Sequence, residues 1–222
     1  PFFLSDKDML EAMNGTIPIQ ASEAVKSLAN KIDLLLIAKA EASFYAFSGV
    51  PGATPFANDL SEFLDADAQL NDNLAPPDNR YMAISSRAKA NALGLRAFQD
   101  TSYRGDSSGI IKGEIGEKLG AFWFMDQNLT RHTSGTWTNV GTTTGTNAAG
   151  QNVVNLTGGT GSILAGDKIT FSGADTQTYL VLVPPGTAPT TAVTVSPNLI
   201  TAKSWTETVT VKASHRQNIL FH

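Results

Sequence analysis

The sequence predicts an α+β protein built from two unlike parts, and three observations predict it. Residues 1–134 contain five threonines, whereas residues 135–212 contain nineteen. Charge thins at the same point, since twelve of the sixteen bases and seventeen of the twenty acids precede residue 135. Finally, apolar residues recur at three and four in the first part, a helical period. The second part instead shows short β-branched runs between glycine and proline turns.

In the first part, Ser5 followed by Asp6 and Asp8 reads as a helix start that stops near Asn14-Gly15. Ser22-Glu23 opens the longest helix, in which Val25, Leu28, Ala29, Ile32, Leu35 and Leu36 form an apolar stripe. It is expected to run to about Phe47, to end at Ser48-Gly49-Val50-Pro51-Gly52, and to serve as a core helix. A third helix is predicted from Ala57 to Leu74, stopped by Pro76-Pro77. Arg80–Ser85 reads as a buried strand, Arg87–Leu95 as a helix, and Ala121–Met125 as a second strand after a glycine-punctuated stretch around Ile115. Helices alternating with single strands give a layered α+β or α/β arrangement.

In the second part, strands are expected at Asn152–Leu156, Lys168–Ser172, Thr178–Val183, Ala192–Val195 and Glu207–Lys212. Their length and spacing predict a small barrel or sandwich. Gly141–Gly150 reads as a mobile connection.

Composition narrows the function. A net charge of −4 lacks the basic footprint of a sequence-reading nucleic-acid binder. With no cysteine there is no disulfide scaffold, thiolate metal site or cysteine nucleophile. The longest apolar run, Leu34–Ala38, is far short of the ~20 residues that cross a bilayer. Acids stand where a signal peptide would be basic, and the chain is expected to be a fragment cut at both ends.

No catalytic constellation emerges. His132, His215 and His222 have no metal-ligand spacing, and a structural or solvated role is expected of each. Gly158–Ser162 lacks the lysine of a phosphate cradle and reads as a hairpin loop. Asp65, Asp67 and Asp72 fit the solvated face of a helix rather than a calcium loop. Arg80, Arg87, Lys89, Arg96 and Arg104 form the one basic concentration, read here as a source of intersubunit salt bridges. Phe122, Trp123 and Phe124 alternate faces of a strand, hence core or interface.

The order Arg80-Tyr81-Met82-Ala83-Ile84-Ser85-Ser86, a helix, then the segment from Gly113 to Asn128 resembles the major capsid proteins of tailed bacteriophages. It is most similar to the coat proteins of short-tailed phages of the Salmonella podovirus type. Leu164–Gly173 is similar to a hairpin of the β-rich insertion found in that group, and His215–His222 to the segment returning to the core. The resemblance implies a Hong Kong 97-like core over residues 1–134, an inserted β domain over 135–212 and a return segment over 213–222. Ala24–Phe47 would be its long helix, and 53–134 the part that meets neighbours around the capsomer axes. The family's N-terminal arm and extended hairpin loop have no counterpart here.

The implied function is a non-enzymatic coat subunit without cofactor, assembled in the host bacterial cytoplasm into the icosahedral virion head. Its implied partners are copies of itself in pentamers and hexamers, scaffolding and portal proteins, and non-specifically held double-stranded DNA, with no membrane. The candidate subunit-contact residues are Arg80, Arg87, Arg96, Arg104 and Trp123. The loops Ser48–Pro55 and Asp100–Gly113 are expected to let one sequence occupy non-identical positions. A competing reading is a tail-tip or adhesin-like module with a carbohydrate site drawn from Trp137, Tyr179 and Trp205.

Overall fold

The computed structural model describes residues 5–7, 10, 19–100, 111–138, 140–142, 147–157, 159–173, 175–184, 190–204 and 207–222. The short helix predicted up to Asn14-Gly15 lies largely outside them, as does most of the Asp100–Gly113 loop. The described chain is α+β. Its helices are α1 (Ile19–Glu41), α2 (Ser61–Asp72), α3 (Ser86–Gly94) and α4 (Arg96–Gln99).

A four-stranded sheet has the order β12-β1-β3-β2, from β1 (Arg80–Ile84), β2 (Gly116–Lys118), β3 (Ala121–Met125) and β12 (Ile219–Phe221). β1 and β3 run parallel with Met82 opposite Trp123, and both edge strands are antiparallel. Alternation along β1 and β3 sends Met82, Ile84, Ala121 and Trp123 to one face. There they are buried with Phe56, Phe63, Ala88, Ala92 and Phe98 from α2, α3, α4 and the loop before α2. Trp123 is the hub of this core, its ring 4.8 Å from Phe63, 5.4 Å from Phe56 and 5.6 Å from Phe98. Ser85 joins β1 to α3 as an N-cap, its Oγ accepting from the Ala88 N–H.

The opposite face carries Tyr81, Phe122, Phe124 and Phe221, all 36–44% exposed. Tyr81 stacks at 5.7 Å between Phe122 and Phe221, so three strands contribute to one aromatic row. Helix α1 covers only the far part of this face, where Ile37 and Ala40 pack on Ala83, Leu129 and Ile219.

Two expectations for α1 are corrected. It ends at Glu41, six residues short of Phe47. Its last turn is closed by Ser43 Oγ donating to the Lys39 carbonyl and by Lys168 Nζ donating to the Glu41 and Phe44 carbonyls. Nor is its apolar stripe a core face. Val25, Leu28, Ile32, Leu35 and Leu36 are 51–68% exposed. At 3.6 residues per turn, the docked face of Asn30, Asp33, Ile37 and Ala40 lies roughly 130° around the helix from that stripe. Polar bonds set this rotation: Asn128 Nδ2 donates to Asp33 Oδ2 at 2.5 Å and Asn30 Oδ1 at 2.7 Å, and Thr130 Oγ1 donates to Glu41 Oε2 at 2.7 Å.

Helix α2 starts at Ser61 rather than Ala57, because Asp59 Oδ1 accepts from both the Ser61 N–H and its hydroxyl. It ends at Asp72, and Leu74 takes φ 60° before the prolines.

The second part contains a closed barrel of six antiparallel strands in the order β10-β5-β6-β9-β8-β7. These are β5 (Val140–Thr142), β6 (Val153–Thr157), β7 (Lys168–Phe171), β8 (Tyr179–Val183), β9 (Thr190–Ser196) and β10 (Thr208–Val211). Closure removes the open edges that short threonine-rich strands would otherwise present. Five strands were expected. The sixth, β5, falls partly within the predicted mobile connection Gly141–Gly150, and Asn147 also bridges to Lys203. Inward positions Val154, Leu156, Ile169, Phe171, Tyr179, Val181, Val193, Val195 and Val209 fill the barrel with Trp137, Ile163 and Leu199. All six strands lie in the chain between β4 (Arg131–His132) and β11 (His215–Arg216), which pair with each other.

Candidate functional site

No described residues form a cluster of three or more histidine, aspartate or glutamate ligands suited to a metal ion. Two other features stand out, a polar joint where the barrel meets α1 and a set of uncovered apolar surfaces.

The joint brings together residues that the sequence scatters. Asp167, in the turn before β7, is fully buried. Its carboxylate accepts from the Leu164 N–H at 2.7 Å, the Gly135 N–H at 3.1 Å and His132 Nε2 at 2.7 Å. The other imidazole nitrogen of His132 lies 3.3 Å from Glu41 Oε1 at the end of α1. One side chain on β4 thus spans a carboxylate of the barrel and a carboxylate of the helix. Glycine at 135 is required by this closeness: a Cβ there would stand 2.0 Å from the Ser162 carbonyl oxygen. Lys168, the first residue of β7, is buried and reaches across to cap α1, and burial holds its amine down at about 8 against an attractive pull from Glu41. His215 on β11 sits 5.7 Å from the His132 ring and edge-on to Phe47 at 4.9 Å.

Burial pushes the His215 pKa below its ordinary 6.5, opposed by the hydrogen bond to the Ala213 carbonyl and by Glu41, and reinforced by the charges of His132 and Lys168. A base with a lowered native pKa binds fewer protons folded than unfolded. Its stabilising contribution is therefore complete above about 6.5 and falls away as the pH drops below that value. Urea midpoints measured between pH 7.5 and 5 are expected to decline toward acid, and His215→Gln is expected to flatten part of that decline. A variant slope equal to the wild-type slope would assign the acid sensitivity elsewhere.

The sequence-predicted contact residues do not converge on one patch. Arg80 is buried and consumed within its own chain. Its guanidinium pairs with Asp67, donates to Asn71 Oδ1 at 2.6 Å, and donates to the Pro76 and Ala75 carbonyls at 3.0 and 3.1 Å. Asp67, expected on a solvated face, is the partner in that ion pair. Arg87 is exposed, and Arg96 is exposed beside Asp100 at 3.5 Å. Arg104 lies outside the described residues. Trp123 is core: its indole N–H donates to the Lys118 carbonyl at 3.0 Å. The carbohydrate candidates fare no better as an exposed site. Trp137 and Tyr179 are buried in the barrel, and Trp205 lies outside the described residues. Of the Gly158–Ser162 stretch, Gly158 lies outside the described residues and Thr160 bridges to Thr138.

What the sequence reading missed is the apolar surface. Beside the aromatic row, a cavity of about 530 Å³ opens between the segment after α1, helix α2 and strand β12. Alternation within Ala121–Met125 and Arg80–Ile84 already placed aromatic residues on both faces of one sheet, the one signal in the sequence that a face stays uncovered.

No family model matches the chain, and no curated protein matches it. Among solved structures, the chain is similar to one titled "Mycobacterium phage Che8". The identity is 15% and the TM-score 0.46, over 95% of this chain and 67% of that one. It is also similar to one titled "Capsid structure of the Cyanophage P-SCSP1u". There the identity is 15% and the TM-score 0.40, over 97% of this chain and 69% of that one.

Proposed function

We propose that the chain is a structural subunit of a shell, the major capsid protein of a tailed bacteriophage. The observation that carries this reading is the uncovered apolar surface. A helix exposing Val25, Leu28, Ile32, Leu35 and Leu36 at 51–68%, beside a sheet face exposing four aromatics, is costly for a protein that works alone. It suits a subunit whose neighbours bury those faces. The sequence resemblance at Arg80–Ser86 and Gly113–Asn128 falls on β1 and on the β2–β3 hairpin, the strands that build that sheet.

In the finer form of this reading, residues 1–134 supply a Hong Kong 97-like core and 135–212 an inserted barrel of the short-tailed-phage type. The segment 213–222 then returns the chain to the sheet. The neighbours are copies of the same chain in five- and six-fold rings, with scaffolding and portal proteins as assembly partners. The role is structural rather than catalytic. A net charge of −4 disfavours tight phosphate binding, so packaged DNA is held without sequence preference.

Negative-stain electron microscopy of the protein at high concentration tests the proposal. Closed shells or flat five- and six-fold rings are expected. Monodisperse monomers would overturn shell-building as a property of this protein.

A further inference from the structure

Helix α1 exposes its apolar residues in a defined order. With Val25 as position a of a seven-residue repeat, Val25, Ile32 and Lys39 fall at a, and Ala21, Leu28 and Leu35 fall at d. Side chains three and four apart on a helix are neighbours, so these six make one unbroken strip along it. Its four larger apolar members are 51–68% exposed. The residues that dock α1, Asn30, Asp33, Ile37 and Ala40, occupy only positions b and f. Those are outer positions of a two-stranded coiled coil. Docking and pairing therefore use opposite faces of the same helix.

The residue types in the strip say what fits it. β-Branched residues at a with leucine at d are the combination that favours two parallel helices, and a single lysine at an a position fixes register at some cost in stability. Lys39 is that lysine, and it stands in the last turn of α1, where the helix dipole favours a cation. The flanking e and g positions are small at Ala24, Ala29 and Ala38, which lets a second helix approach closely. Along α1 three acids, Glu23, Asp33 and Glu41, balance three lysines, so it lacks the basic polar face of a membrane-surface helix. Among the described residues the other helices are 12, 9 and 4 residues long, too short to carry such a repeat. The matching partner is α1 itself.

We infer that α1 pairs with α1 of a second copy of this chain, parallel and in register, as a short two-stranded coiled coil. This rests on the proposed shell-forming role, which brings copies together at high local concentration. A straight helix drifts ~20° per heptad, which turns Leu36, at e, toward the seam and adds it to the strip. Even so the strip offers only roughly 400 Å² per copy. A standard interface takes about 800 Å² from each partner, and a self-sufficient coil runs about three to four heptads. The pair therefore adds to other contacts between copies rather than replacing them. Being isologous, it joins two copies and closes on itself, so it cannot alone extend into a ring.

The chain has no cysteine, so single introduced thiols report on the pair without background. Ala21→Cys and Lys39→Cys lie at d and a, and Ser27→Cys lies at the outward, exposed position c. In a parallel, in-register pair each seam position faces the same position of its partner, within reach of a disulfide. Oxidised under assembly conditions, Ala21→Cys and Lys39→Cys are each expected to form disulfide dimers at least tenfold faster than Ser27→Cys, with the melting temperatures of the reduced proteins unchanged. Leu35→Cys, at a further d position, gives the same readout should one of these variants fold poorly. An antiparallel pair would instead set Ala21 opposite Lys39. A mixture of those two variants that yields chiefly the mixed disulfide would therefore overturn the inference. Particles whose seam thiols oxidise no faster than Ser27→Cys would overturn it as well and leave the shell reading standing. Failure of the wild type to form particles would remove the shell reading. A concentration series in solution then judges the inference alone: disulfide dimers specific to the seam positions support it, and rates equal to that of Ser27→Cys overturn it.

Discussion

Replacing Lys203 with methionine is expected to destabilise the barrel by about 3–5 kcal/mol. Lys203 is 1% exposed, and its amine lies 2.6 Å from Asp175 Oδ2, 2.8 Å from Thr201 Oγ1 and 5.1 Å from the centre of the Phe171 ring. The Tyr179 hydroxyl donates to the same Asp175 oxygen at 2.7 Å and accepts from the Ile200 N–H at 3.2 Å. Burial alone would raise the Asp175 pKa, but the bonds from Lys203 and Tyr179 outweigh it and hold the carboxyl below its ordinary value. Burial likewise drives the Tyr179 phenol up to about 12, so it stays a donor at any working pH. Methionine fills the space of the lysine stem and removes the cation, leaving a buried carboxylate with one donor fewer. The loss therefore measures the stranded charge rather than a cavity. Urea unfolding should show the midpoint fall, and hydrogen exchange should confine the weakening to β5–β10 with the sheet around Trp123 unchanged. The double change Lys203→Met/Asp175→Leu is expected to recover most of the loss. If the single variant keeps the wild-type midpoint, the pair carries no stability.

How much of this was readable beforehand divides along the length scale of the interactions. β1 and β3 were legible because a five-residue apolar run between turn residues is a local signal. So was α3, whose N-cap at Ser85 sits at the end of a strand. The barrel's five longer strands were visible for the same reason. The sixth was not: Val140–Thr142 has the composition of a linker, and only pairing with Thr157 and Thr208 makes it a strand. The end of α1 was equally hidden, since its cap is Lys168, more than 120 residues away. The same distance explains the joint. Glu41, His132, Asp167 and His215 carry no shared spacing, and each reads as an isolated polar residue until the fold gathers them.

The candidate contacts are dispersed for a different reason. A cluster of arginines in the sequence says nothing about where their partners lie, and Asp67 and Asn71 claim Arg80 from the preceding helix. Periodicity misled in the opposite direction. An apolar stripe identifies the face of a helix that something must bury, not which molecule buries it. For α1, hydrogen bonds from Asn128 and Thr130 fix the polar side against the sheet, and the stripe is left exposed.

That division makes assembly separable from folding. Leu28→Glu/Leu35→Glu replaces two stripe residues that are 60% and 63% exposed. Glutamate has nearly the helix propensity of leucine, and exposed substitutions away from such features shift stability by at most about 0.5 kcal/mol each. The melting temperature of the isolated subunit is therefore expected to stay within about 4 °C of wild type. If the proposed assembly buries this face, two carboxylates on it are far more costly there, because each is buried without a partner. Particle yield, read by sedimentation and electron microscopy, is expected to fall at least a hundredfold. Assembly at wild-type yield would show that the stripe stays in solvent in the shell. A large loss of subunit stability would show that the stripe packs within the folded chain. Normal folding with lost assembly would assign the stripe to the contact between copies.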